Sequence, residues 1–144
     1  MNREIKFRGK LEYNGKWIYG DLLQYENGDV AIFGDKLSSF GCECTEMSKR
    51  DRVIPDTIGQ YTGMKDKDGD EIFEGDIVII GNNLKAVVVW FNGSFRFKDE
   101  LSSKATSLVD IGVIMRDYDV RVVGNIHDIY QRQLRTNQKE KNEY

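Results

Sequence analysis

The stretch IGQYTGMKDKDGDEIFEGDIVII, Ile58–Ile80, decides how the chain is read. It sets Asp66, Asp68, Asp70, Glu71, Glu74 and Asp76 around Gly69 and Gly75, between two apolar runs. Three readings compete: a calcium loop, a carboxylate active site, or a turn. A calcium-binding helix–loop–helix needs oxygen ligands at loop positions 1, 3, 5 and 12, with glycine at position 6. With Gly69 at position 6, Met64 falls at position 1 and Gly75 at position 12, and neither side chain offers an oxygen. Paired carboxylates for acid–base chemistry need a cleft and one desolvated member, which a turn tip does not supply. Asp68-Gly69 instead supplies a residue that accepts positive φ, so the segment predicts an exposed, calcium-free hairpin. Gly75 then makes a second tight corner before DIVII.

Outward toward the C-terminus the pattern is a β-meander. DIVII, KAVVVWF, SFRFK and VRVVGN follow one another, with Asn92-Gly93 closing a further hairpin. KAVVVWF is apolar almost throughout, which predicts a strand buried on both faces or wrapped within a small barrel, and Trp90 is assigned to the core. SFRFK alternates, placing Phe95 and Phe97 inward and Arg96 and Lys98 outward. About five short strands in this length predict a small SH3-like barrel. DELSSKATSLVDIGVIM has room for one helical turn and one more strand. IHDIYQRQLR carries Ile126, Ile129, Tyr130 and Gln133 at helical spacing and predicts a short C-terminal helix.

Outward toward the N-terminus, Arg3–Arg8 alternates, with Ile5 and Phe7 on one face of a half-buried strand. Asn14-Gly15 and Asn27-Gly28 are hairpin signals on either side of WIYGDLLQY, so this part predicts a small antiparallel sheet. Residues 35–52 carry no readable pattern. The single proline, Pro55, biases Ile54 toward an extended backbone and is the expected hinge. The fold class expected is therefore α+β and mostly β: N-terminal antiparallel hairpins packed on a C-terminal SH3-like barrel, with a short C-terminal helix. The expected division is an N-terminal β subdomain over 1–55, a barrel subdomain with its helix over 56–136, and a frayed tail over 137–144.

Composition limits function. With 144 residues, 40% hydrophobic and 31% charged, the chain is globular, and no apolar run approaches the ~20 residues of a membrane span. The N-terminus lacks an apolar export signal, which predicts residence in the cytoplasm. A net charge of −3 argues against coating nucleic acid by bulk charge. Cys42 and Cys44 share a face if extended, but a closed zinc site needs four ligands, and the one histidine, His127, is distant in sequence. Two free thiols and no metal are expected. His127 has no Ser or Cys nucleophile in a recognisable arrangement and is read as a surface or capping residue at the start of the last helix. No phosphate-binding glycine loop or zinc-protease motif occurs, so no cofactor and no enzymatic activity are expected.

The segment PDTIGQYTGMKDKDGDEIFEGDIV closely resembles the signature of the YopX family, small proteins encoded by phages and prophages of Gram-positive bacteria. REIKFR is similar to that family's opening strand and VVGNIHD to its closing GNI segment, so the resemblance spans Arg3 to about Asp128. After Ile126 the chain departs from the family pattern, with His127 where an aromatic is usual. The resemblance implies a mostly-β protein of viral origin and brings no catalytic residues with it. Two functions follow. The first is a non-enzymatic phage accessory module that binds a host or phage protein through sheet edges or a barrel groove. The alternative is a nucleic-acid module in which Lys85, Arg96 and Lys98 form one outward basic surface. A homo-oligomer is compatible with either.

Overall fold

A computed structural model of the protein describes residues 2–34, 52–99 and 108–128. Contacts divide the chain into two compact units, 1–63 and 64–144. The division falls inside a strand, whereas Pro55 opens a one-turn 3-10 helix (Pro55–Thr57) within the first unit. Cys42 and Cys44 lie outside the described residues, as does almost all of the unreadable 35–52 stretch.

The first unit is an antiparallel sheet of β1 (Phe7–Lys10), β2 (Trp17–Gln24), β3 (Val30–Phe33) and β4 (Gly59–Lys65), in the order β3-β2-β1-β4. Its turns are those the sequence signals. Gly28 takes φ 91°, its N–H donates to Tyr25 O, and Tyr25 N–H donates to Asp29 O, the type I turn plus glycine bulge of a three-residue hairpin loop. Gly15, at φ 70°, closes a longer, four-residue loop between β1 and β2, its N–H donating to Leu11 O and Leu11 N–H to Lys16 O. The opening strand differs from expectation. It begins at Phe7, Ile5 is exposed, and Arg8 and Lys10 are buried. The reason is the register Arg8↔Tyr19 and Lys10↔Trp17, which lays both cations on the face that carries Trp17. The Arg8 guanidinium carbon stands 4.8 Å and the Lys10 Nζ 5.2 Å from the Trp17 ring centroid. The opposite face holds the apolar contacts, where a Cβ on Gly9 would sit 3.1 Å from Ile32 Cδ1 and 3.2 Å from Val53 Cβ. Ala31, Ile32 and Val53 are buried.

In the second unit, the end of β4 turns at Asp66–Asp70 into β5 (Glu71–Phe73), and β6 (Asp76–Ile80) follows after the Glu74-Gly75 corner. β7 (Leu84–Phe91), β8 (Ser94–Asp99), β9 (Val109–Asp110), helix α1 (Ile111–Asp117) and β10 (Val120–Asn125) complete it. Five of these strands form an antiparallel sheet in the order β10-β6-β7-β8-β9. Ile72, Val78, Ile80, Ala86, Val88, Phe97 and Val120 make the core with Ile111 of α1, and Phe95, Ile114 and Met115 pack against it. Fully burying each large aliphatic of this set contributes about 1.5–3 kcal/mol.

The protein is thus mostly β, built on antiparallel sheets with little helix. An SH3-like closure is not what the strands form: among the described residues β9 and β10 are separate edges of an open sheet. β9 has two residues, too few to wrap, and the outer side of β10 is taken by a loop. KAVVVWF is likewise not buried on both faces. Ala86 and Val88 are buried, Val87 and Val89 half-buried, and Trp90, at the strand's end, is 54% exposed rather than core. The expected C-terminal helix begins where the spacing places it. Residues 126–128 are helical, and Asn125 Oδ1 accepts from the N–H groups of His127 (3.1 Å) and Asp128 (3.0 Å). Asn125 Nδ2 in turn donates to an Asp128 carboxylate oxygen at 2.6 Å, a reciprocal cap. Residues 129–144, which include Ile129, Tyr130 and Gln133, lie outside the described residues. Among those described, no helix is long and apolar enough to cross a membrane.

Candidate interaction surface

The acidic stretch Asp66–Asp76 is a structural device. Gly69 takes φ 86°, its N–H donates to Asp66 O, and Asp66 N–H donates to Asp70 O, so the hairpin loop is of the expected kind. Its first acid is not exposed. Asp66 is buried, and its Oδ1 accepts from the N–H groups of Asp68 (2.9 Å) and Asp70 (2.8 Å). Its Oδ2 accepts from Val122 N–H at 2.9 Å, across 56 residues of sequence. Lys67 N–H donates to Val120 O at 3.0 Å. The loop therefore fastens itself along the outer side of β10. Asp66, Asp68 and Asp70 converge within 4.8 Å, but the Asp66 carboxylate already serves three backbone amides, and Asp68 pairs with Arg121 Nε at 3.3 Å. Asp76 repeats the device at the next corner. It is 2% exposed, and its Oδ2 accepts from Phe73 N–H at 2.8 Å.

A groove of roughly 430 Å³ lies beside this loop, lined by Lys67, Ile79, Tyr118, Asp119 and Arg121 among others. Its charges neutralise one another, with Lys67 Nζ 3.4 Å from Asp119 and Arg121 on Asp68. That leaves little to bind a charged ligand. His127 is half-buried in the first turn, where its backbone N–H donates to Asn125 Oδ1, so the capping side chain is that of Asn125.

The most exposed chemistry in the second unit is on the β7–β8 hairpin. Asn92 (φ 47°) and Gly93 (φ 80°) are both left-handed, the two-residue turn that matches strand twist. The ladder runs Val87↔Lys98, Val88↔Phe97, Val89↔Arg96 and Trp90↔Phe95. Val88 and Phe97 point into the core, so Val87, Val89, Phe91, Arg96 and Lys98 occupy the opposite, outer face. Lys85, opposite Ile79 on β6, joins them. The three cations singled out from sequence therefore do share one face. Arg96 is held in place: its Nε donates to Ser94 Oγ at 2.9 Å, and its guanidinium carbon lies 5.8 Å from the Phe91 ring centroid. Among the described residues none forms an ion pair with Lys85, Arg96 or Lys98. At the hairpin's end Trp90 packs edge-on against Phe95, with centroids 4.8 Å apart and planes at 70°. Phe91 is 41% exposed beside it. Sequence reasoning missed this aromatic end, because an apolar run gives no sign of where the core stops along a strand.

A family model described as YopX protein matches residues 6–131. The chain belongs to the YopX family. That match includes every element of the second-unit sheet and the loop that fastens β10. No curated protein matches. Among solved structures, the chain is similar to protein EF1440 from Enterococcus faecalis. The two share 22% identity, the match covers 88% of this chain and 95% of that one, and the TM-score is 0.52. At that identity the likeness is one of fold alone.

Proposed function

We propose that this YopX-family chain is a non-enzymatic, phage-encoded accessory protein that works in the host cytoplasm by binding a host or phage protein. The observation that carries the reading is the exposed aromatic end of the β7–β8 hairpin. Trp90 is 54% exposed yet fixed against Phe95, and Phe91 lies next to Arg96. Trp and Arg dominate the energetically decisive centres of protein interfaces. A rigid ring also loses little conformational entropy when a partner covers it. The test is capture from infected-host lysate by the tagged full-length chain, compared with the Trp90→Ala/Phe91→Ala variant. Proteins retained by the first and released by the second, with the melting midpoint nearly unchanged, support the reading. Identical retention profiles overturn it.

A second reading, a nucleic-acid module, is favoured by one observation: Lys85, Arg96 and Lys98 share the outer face without an ion pair among the described residues. Retention on a DNA column that falls linearly with salt on logarithmic axes, and is abolished by Arg96→Ala/Lys98→Ala, would establish it. Weak retention that the double substitution leaves unchanged rejects it.

A further inference from the structure

We infer that the outer face of β7 and β8 receives a segment of a protein partner in which acidic residues are interleaved with aliphatic ones. The inference rests on the protein-binding reading and adds the partner's chemistry. Its basis is the register. Arg96 and Lys98 are two residues apart on β8 and point the same way, so their Cα atoms are roughly 6.6 Å apart. Lys98 faces Val87, which makes Lys85 its diagonal neighbour on β7 at roughly 7–8 Å. The three cations thus form a row at the repeat with which an extended chain presents alternate side chains. Beside that row run Val87, Val89 and Phe91, half-buried to exposed. Ion pairs elsewhere in the unit tie Lys67 and Arg121 to acids, whereas among the described residues none closes an ion pair with this row; the one carboxylate in register with it, Asp110 opposite Arg96, is turned to cap α1 by accepting from Gly112 N–H at 2.8 Å. Its complement is a short row of carboxylates set among apolar side chains.

The same face suits a phosphate chain less well. Between the cations lie aliphatic Val87 and Val89, and single-stranded nucleic acid gains its affinity by stacking bases on rings. Residues 56–125 also carry twelve acids against eight bases, so the surrounding field repels a polyanion. A peptide bearing only two or three carboxylates meets the local cations and little of that repulsion.

The test uses the full-length chain and fluorescein-labelled probes read by anisotropy at low and moderate salt. The probes are an extended peptide alternating Glu with Val and Leu, its Gln counterpart, its Lys counterpart, and a single-stranded oligonucleotide of equal charge. The expected result is binding of the Glu peptide about tenfold tighter than the Gln peptide, the sum of three exposed ion pairs. The preference should vanish in Lys85→Gln/Arg96→Gln/Lys98→Gln, and a Lys85→Gln/Lys98→Gln variant, confined to two exposed side chains, should lose most of it with an unchanged melt. Equal binding of the Glu and Gln peptides overturns the inference, and if capture still depends on Trp90 the protein-binding reading survives it. Tighter binding of the oligonucleotide overturns both in favour of phosphate recognition. Loss of Trp90-dependent capture together with equal peptide binding overturns both without that replacement.

Discussion

Asp66 is the residue whose removal should cost the second unit most for its size. Two substitutions separate what its carboxylate does. Alanine removes all three acceptances, from Asp68, Asp70 and Val122. A hydrogen bond to a charged acceptor contributes about 1.5–3 kcal/mol. The Asp68 and Asp70 amides lie in an exposed loop and recover part of that from water. Val122 N–H, covered by the loop, recovers less. The expected cost of Asp66→Ala is therefore about 3 kcal/mol, a large share of a total stability of roughly 5–15 kcal/mol. Asparagine keeps an oxygen for the two loop amides but turns an NH2 group toward Val122 N–H, donor against donor. Asp66→Asn should cost about 2 kcal/mol, nearly all of it from the long-range bond. Urea unfolding followed by tryptophan fluorescence measures both, with Trp90 reporting from the same unit. The midpoint should fall with the slope unchanged. Native-state hydrogen exchange adds a local readout, in which the Val122 amide should lose protection in both variants. Both variants lying within about 0.5 kcal/mol of the parent, with Val122 still protected, would refute the claim that Asp66 fastens β10.

Three further outcomes follow from the same geometry. Gly20→Ala should cost about 3 kcal/mol or more or prevent folding, since a Cβ there overlaps the Phe33 carbonyl oxygen and its neighbours; thermal melting decides it. Trp90→Ala should lower stability by only about 1 kcal/mol, the edge-on contact with Phe95 being its main intramolecular loss, and a urea midpoint as low as that of Asp66→Ala would return Trp90 to the core. Asn125→Ala removes the bonds that cap residues 126–128 and should cost about 1–2 kcal/mol, read as a lower urea midpoint.

The turns were legible from the sequence because their chemistry is local. Asn27-Gly28, Asp68-Gly69 and Asn92-Gly93 each sit where the backbone needs left-handed φ, and the hairpins follow from them. The inward set on β8, Phe95 and Phe97, was legible by alternation, and so was the shared outer face of Arg96 and Lys98. What escaped depended on contacts distant in sequence. Burial of Asp66 is decided by Val122, and no pattern within residues 58–80 announces a partner 56 residues away. Burial of Arg8 and Lys10 depends on register with Trp17, which a half-buried alternation leaves open. Trp90 was assigned inward because the apolar run continues to Phe91, although the strand outlasts the core beneath it.

These long-range contacts also bear on where a partner would dock. An unpaired strand edge invites addition of another strand. Here two of the edges are occupied among the described residues: Asp66 and Lys67 lie along β10, while Ala31 of β3 bridges to Arg52 and Val53 N–H donates to Val30 O. Strand addition at β10 would have to break the bonds from Val122 N–H to Asp66 and from Lys67 N–H to Val120 O, the first alone costing about as much as Asp66→Asn. Strand addition at β3 would have to break the bridge as well. The outer face of β7 and β8 asks for no such displacement, since Lys85 and Lys98 are exposed and Arg96 is already oriented by Ser94 and Phe91. Binding across that outer face, which ends at Phe91, is therefore the route with the smaller reorganisation, and the Asp66–Asp70 turn closes the competing route at β10.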